Sequence, residues 1–232
     1  MAARSIAIIS ALEEEAKHIA DACTDVEHVE RASLDVIRGT LPTDSGDGLA
    51  VAVAVGGMGM VNAAATTQFL IDLAQPDAVI FSGIAGNLNP ALHINDVVLG
   101  GTLRYLDSDM RQIAQWKPRT EEFHSDPALL KLASQVLDDM GITHITGTIA
   151  TGNYFVDDPD TCARVVRETG ADAVEMEGAA VAHVAARNDL PALVIRAMSD
   201  NADTDYEEFR DFDISEYADT AARMVVAMLR RM

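Results

Sequence analysis

A chain of 232 residues with 37 acidic and 17 basic side chains, formal charge -20, repels phosphate backbones and anionic lipid surfaces. Nucleic-acid and membrane partners are therefore not expected, and a neutral or zwitterionic small molecule suits the chain better. Half of the residues are apolar yet few are aromatic, so Ala, Val, Ile, Leu and Met must fill the interior, as they do in sheets covered by helices. The length suits one domain, residues 1–232, and no composition break divides it. Cys23 and Cys162 fall on expected helices and lack metal-ligand or disulfide spacing, which suits buried thiols in a reducing compartment. The opening Met-Ala-Ala-Arg-Ser is too short of apolar residues for an export signal. A cytoplasmic protein without metal or cofactor is expected.

In chain order, Ser5 to Ser10 is an apolar strand, followed by a helix whose first turn holds Glu13, Glu14 and Glu15. Acidic residues there complement the helix dipole, which is a sufficient reason for two of the three. Val26 to Thr40 and Leu49 to Val55 alternate as strands around the turn-rich Pro42 to Gly48. The uncharged stretch Gly48 to Ile71 is broken by Gly56, Gly57 and Gly59 into strand, turn and helix, the helix spanning Met60 to Ala74, so it is no membrane span. Ala78 to Ser82 is the next strand, ending in the glycine turn Gly83 to Asn87. Asp96 to Leu103 follows as a strand, and Asp107 to His124 is irregular. Helices at Pro127 to Met140, Pro159 to Thr169, Gly178 to Asn188 and Ile214 to Arg231 alternate with strands at Ile145 to Ala150, Ala173 to Met176 and Ala192 to Ala197. This alternation predicts an α/β fold of three layers, α/β/α, around a central mixed twisted sheet.

Polar residues stand where buried runs stop: Met176-Glu177, Ser199-Asp200, and the glycine turn after Ser82. Converging strand ends make a pocket. A carboxyl group at such a place loses hydration, which favours its protonated form and fits it to deliver a proton. Asp200 is the candidate acid on these grounds. Helix capping is the plainer reading of Glu177, a turn or cap the plainer reading of Asp200, and a salt bridge to Glu175 or Glu177 that of Arg196. His93, His144 and His183 have no ligand spacing.

Four segments carry a resemblance that runs from Ile6 to about Met228: IAIISALEEEA (6–16), VGGMGMVNAA (55–64), AVEMEGAAVAHV (173–184) and VIRAMSDNAD (194–203). The glycine segment alone is weak, but the last two, in this order and spacing, are specific. The chain resembles the 5′-methylthioadenosine/S-adenosylhomocysteine nucleosidases of the nucleoside phosphorylase-like fold. The resemblance implies cleavage of the adenine–ribose bond by water in a homodimer. It implies that Asp200 protonates N7 of adenine, that Glu15 activates water, and that Met176 and Glu177 hold the ribose, Glu177 through its hydroxyls. Phe155 would stack on adenine, Val156 would bond its edge through the backbone, and Met58 would line the ribose and 5′ side. Ala85, Gly86, Glu175, Arg196 and Ser199 complete the implied substrate-binding set. Such chemistry needs an acid at the base and carboxylates facing sugar and water.

A phosphorolytic purine nucleoside phosphorylase is the alternative within enzymes, and it needs cations where this chain carries Glu13, Glu14 and Glu15. A binding or storage module of the same fold is the non-catalytic alternative, and retention of Glu15, Glu177 and Asp200 at separated positions speaks against it. The chain departs from the resemblance at Ile84, where a small hydroxyl residue is usual, and at Asn153, where an aspartate commonly faces the adenine. Met60 replaces a common lysine. The segment from Asp107 to Pro118 loses the usual aromatic stretch, which leaves the 5′ substituent open.

Overall fold

The computed structural model describes residues 5–10, 13–202 and 215–232, the last segment without the side chains of 215–218. Its elements are β1 (Ser5–Ser10), α1 (Glu13–Asp21), β2 (Thr24–Arg31), β3 (Leu34–Pro42), β4 (Gly48–Val55), α2 (Met60–Ala74), β5 (Ala78–Asn87) and β6 (Val97–Tyr105). They continue with α3 (Met110–Ile113), α4 (Pro127–Met140), β7 (His144–Thr151), α5 (Pro159–Thr169), β8 (Ala173–Glu175), α6 (Gly178–Arg187), β9 (Ala192–Asp200) and α7 (Ser215–Arg230). The strands form one mixed sheet in the order β2-β3-β4-β1-β5-β8-β7-β6-β9, and β9 also pairs with β5. The five strands β5, β8, β7, β6 and β9 thus close into a ring, and β1, β4, β3 and β2 extend from it as an open wing.

Alternation along β1 and β5 sorts the core into two layers. Ala7, Ile9, Val79 and Phe81 face α2 and α6, packing with Ala63, Leu70, Ala179 and Val181. Ile6, Ile8, Ala78 and Ile80 face α1, α4 and α7, packing with Ala16, Ile19, Leu129, Val225 and Leu229. Three layers are the expected architecture. Closure of the ring goes beyond it, because β5 and β9 lie more than a hundred residues apart and no local pattern announces their pairing.

Helix boundaries follow their caps. Asp126 accepts from Ala128 N and Leu129 N ahead of α4, Asp158 accepts from Thr161 N ahead of α5, and both helices carry proline in the first turn. Gly141 and Gly170 end them in the left-handed conformation. The expected single strand from Val26 to Thr40 is in fact the hairpin β2–β3. Ala32 and Ser33, at φ 53° and 63°, reverse the chain between the register partners Arg31 and Leu34. Such turns are usually marked by Asn or Gly, and neither residue is present. Gly83 to Asn87, expected as a turn, belongs to β5, whose register with β9 slips between Ala85 and Gly86. Likewise β9 continues past Ala197 to Asp200, while β8 stops at Glu175. Cys23 lies beyond the end of α1 and not on a helix, its thiol bonding Ile19 O; the two cysteines form no disulfide. Asp107 to His124 is irregular apart from the single turn of α3 and a bridge between Leu103 and Phe123. Ile214, the expected start of the last helix, is outside the described residues. Among those residues no helix is long and apolar enough to cross a membrane.

Candidate active site

At the end of β1 the chain passes into α1, whose first turn exposes Glu13 and Glu14 and buries Glu15 completely. Dipole stabilisation accounts for the outer pair, as that turn needs no inward carboxylate. The hydroxyl of Ser10 donates to Glu15 Oε2, and Oε1 has no hydrogen-bond partner among the described residues. Burial raises the Glu15 carboxyl to about 7; the Ser10 hydroxyl and the charge of Arg196 oppose this, and Glu14 adds to it. A carboxyl group so placed takes up and releases a proton near neutrality.

The junction of β8 and α6 divides two carboxylates between two tasks. Glu175 Oε2 accepts from Glu177 N at 3.1 Å and Gly178 N at 2.7 Å, so it caps α6. The same oxygen accepts from Arg196, through Nη2 at 2.6 Å and Nε at 3.2 Å, while Thr151 donates its hydroxyl to Oε1. The Arg196 guanidinium, fully buried, lies 3.8 Å above the ring of Phe81. With Glu175 as cap, Glu177 occupies the N-cap position without a side-chain cap bond. Its Oε1 instead accepts from Gly59 N at 2.6 Å, and its Oε2 lies 3.8 Å from Arg196. Burial, then the like charge of Glu175, pushes the Glu177 carboxyl up, against the pull of Arg196 and the Gly59 amide. Capping as the reading of Glu177 thus passes to Glu175, and the expected salt bridge of Arg196 is made to Glu175 first.

Asp200 closes β9 opposite Gly86 of β5. Its Oδ2 accepts from the Ser199 hydroxyl at 2.7 Å and its Oδ1 from Ala202 N at 2.7 Å. Ser199 Oγ also lies 3.3 Å from Ala85 O. A Cβ at Gly86 would stand 3.2 Å from Asp200 Oδ1 and 3.1 Å from the Ala202 methyl, so a side chain there would press on the carboxylate and on Ala202 by a few tenths of an ångström. Both oxygens of Asp200 are oriented without a hydroxyl at Ile84, which pairs with Ala197.

The turn from Gly56 to Gly59 approaches from the wing, with Gly57 and Gly59 at φ 74° and 96° and Met58 between them, 62% exposed. Asn153 fastens it: its Oδ1 accepts from Met60 N at 3.0 Å, and its own N–H donates to Asp107 Oδ2 at 2.9 Å. The amide oxygen expected opposite a base is therefore engaged at the start of α2, next to the Gly59 amide that holds Glu177. Phe155 and Met176 are half-buried, and the Val156 side chain belongs to a small core with Ala150, Val174 and Ala202. Sequence reasoning passed over Ser10, Ser82, Thr151 and Asp107. Ser10 and Ser82 carry the same signal as Ser199, a hydroxyl where a buried strand stops, and that signal was open to use.

The chain belongs to the phosphorylase superfamily, whose family model matches residues 5–230. Within that class it is 32% identical to the 5′-methylthioadenosine/S-adenosylhomocysteine nucleosidase of Shewanella loihica, over 98% of this chain and 99% of the relative. Its structure is similar to that of the nucleosidase of the same name from Neisseria meningitidis in complex with methylthio-immucillin-A, with TM-score 0.89, 29% identity, and 98% and 99% of the two chains covered. It is also similar to futalosine hydrolase of Helicobacter pylori, with TM-score 0.86, 30% identity and 97% of each chain covered.

Proposed function

We propose that the protein is a nucleoside N-glycosidase, hydrolysing the bond between adenine and the sugar of 5′-substituted adenosines such as 5′-methylthioadenosine and S-adenosylhomocysteine. The observation that carries the reading is the inward Glu15: a buried carboxyl poised near neutrality, with one oxygen held by Ser10 and the other unengaged among the described residues. In the proposed reaction the oxygen of water bonds to C1′ as its proton passes to Glu15. The C1′–N9 bond breaks with its electron pair entering the base, and Asp200 delivers a proton to N7. Proton exchange with solvent then restores both carboxyl groups. Glu177, held by Gly59 N and Arg196, receives the ribose hydroxyls. Glu175 acts behind it as the partner of Arg196 and the cap of α6.

Water is favoured over phosphate as nucleophile. Within this cluster the Arg196 guanidinium is engaged by Glu175 and offers no open fork to an anion among the described residues, and Glu13, Glu14 and Glu15 stand at the entrance of α1. Product analysis at zero and saturating phosphate decides this. Free 5-substituted ribose at a rate independent of phosphate is expected, and a ribose 1-phosphate would overturn the reading. Methylthioadenosine, S-adenosylhomocysteine and futalosine, assayed side by side, rank the 5′ substituents.

The chain is further proposed to form a homodimer through the start of α2, where Val61 is 78% and Met58 62% exposed. Trp116, at 78%, supplies a second apolar group for such a contact. A cytoplasmic location fits two cysteines that form no disulfide.

A further inference from the structure

Ser10 and Ser82 end the buried runs of two neighbouring parallel strands at one level, as register partners in the β1–β5 pair. Both are completely buried. Ile6 and Ile8 on β1, and Ala78 and Ile80 on β5, face the α1 layer, and residues two apart share a face, so both hydroxyls are turned toward α1. Adjacent strands lie about 4.8 Å apart, which puts the two side chains next to each other on the face toward the first turn of α1. Ser10 is used there, on Glu15 Oε2. Ser82 Oγ and Glu15 Oε1 are both buried and both lack a hydrogen-bond partner among the described residues. Buried polar atoms left without a partner are destabilising, and a water molecule is placed by two to four such groups.

We propose that Ser10 and Ser82 are a hydroxyl pair that assigns the two oxygens of Glu15: Ser10 fixes Oε2, which leaves Oε1 as the base, and Ser82 holds the attacking water against Oε1. The proposal rests on the reading of the protein as a hydrolase. Water donates one hydrogen to Oε1 and the other to Ser82 Oγ, so that its lone pair is left for C1′. As the O–C1′ bond forms, the first of these protons moves to Oε1, and Ser82 emerges unchanged. Ser10 is a positioning residue in this scheme, because it acts through Glu15. Among the described residues, the charges that act on Glu15 are Arg196 of β9 and, on its own helix, Glu14. β4 brings no charged residue to α1, and Asp219 of α7 faces His18, 3.3 Å away.

The test combines direct titration of Glu15 with kinetics on Ser10→Ala, Ser82→Ala and Ser82→Thr, each checked for an unchanged thermal transition. The Glu15 carboxyl is followed by carbon NMR in the absence of substrate and identified by its loss in Glu15→Gln. Ser10→Ala removes a donor to the ionised form, so the titration, and with it the acid limb of kcat/KM, should move up by about one pH unit. Ser82→Ala should leave the titration in place and lower kcat about tenfold at every pH with KM unchanged, and Ser82→Thr should restore much of the loss. An unmoved Glu15 titration in Ser10→Ala overturns the first half, and wild-type kcat in Ser82→Ala overturns the second. If the unaltered enzyme yields sugar phosphate instead of free sugar, the hydrolase reading and the role of Ser82 fall together, while the titration still decides the role of Ser10.

Discussion

Glu15 stores a cost in the fold. Its carboxyl is raised to about 7 chiefly by burial, whereas in the unfolded chain it titrates near an ordinary value of about 4.3. A group raised on folding contributes stability fully below its unfolded value and loses it as pH climbs through the folded one. Glu15→Gln should therefore be more stable than the parent above about pH 7, on the order of 3–4 kcal/mol, and no more stable near pH 4; denaturant titrations at the two pH values check this. The same variant should lose turnover, which separates the cost of ionisation from its use. Asp200→Asn keeps the shape and both accepting positions are reduced to one, so turnover should fall roughly 10²- to 10⁴-fold with the thermal transition nearly unchanged. Asn153 acts at one remove, through Met60 N. Asn153→Ala should raise KM about tenfold with a smaller change in kcat, and Asn153→Asp, which keeps the acceptor, should recover most of it in adenine-release kinetics.

The short element between β8 and α6 shows why two glutamates in one motif are not equivalent. Glu175 holds a fully buried guanidinium and the first amides of α6, so Glu175→Gln leaves a charge under-compensated in the core and should cost roughly 3–5 kcal/mol. Glu177→Gln should leave stability within about 1 kcal/mol and weaken substrate binding instead; comparison of denaturation midpoints with KM separates them. Much of this was legible in the sequence. A buried run that stops at Ser, Glu or Asp marks a strand end, and it located Asp200 and the Glu175–Glu177 segment. The division of labour between Glu175 and Glu177 was not legible, because it depends on a bond between Glu177 and Gly59, 118 residues apart. The turn at Ala32 and Ser33 escaped for a local reason: neither residue advertises the left-handed conformation it adopts.

At the scale of the molecule, the apolar start of α2 stands against a surface dominated by acidic groups, and a second copy is the partner it suits. Val61→Glu should convert the proposed dimer to a species of about 25 kDa in sedimentation, the mass of one chain, without unfolding it. Closing the sheet into a ring has a separate effect. With β9 returned to β5, the edge that is left is β2 at the end of the wing, which among the described residues keeps one side without a strand neighbour. That strand is almost wholly exposed, carries Asp25, Glu27, Glu30 and Arg31, and breaks register between Thr24 and Glu27. Charges and a bulge are the features that stop one sheet from growing onto another. An acidic protein with a crowded, low-aromatic interior is thus guarded against fibre-like stacking at the margin where its backbone would otherwise invite it.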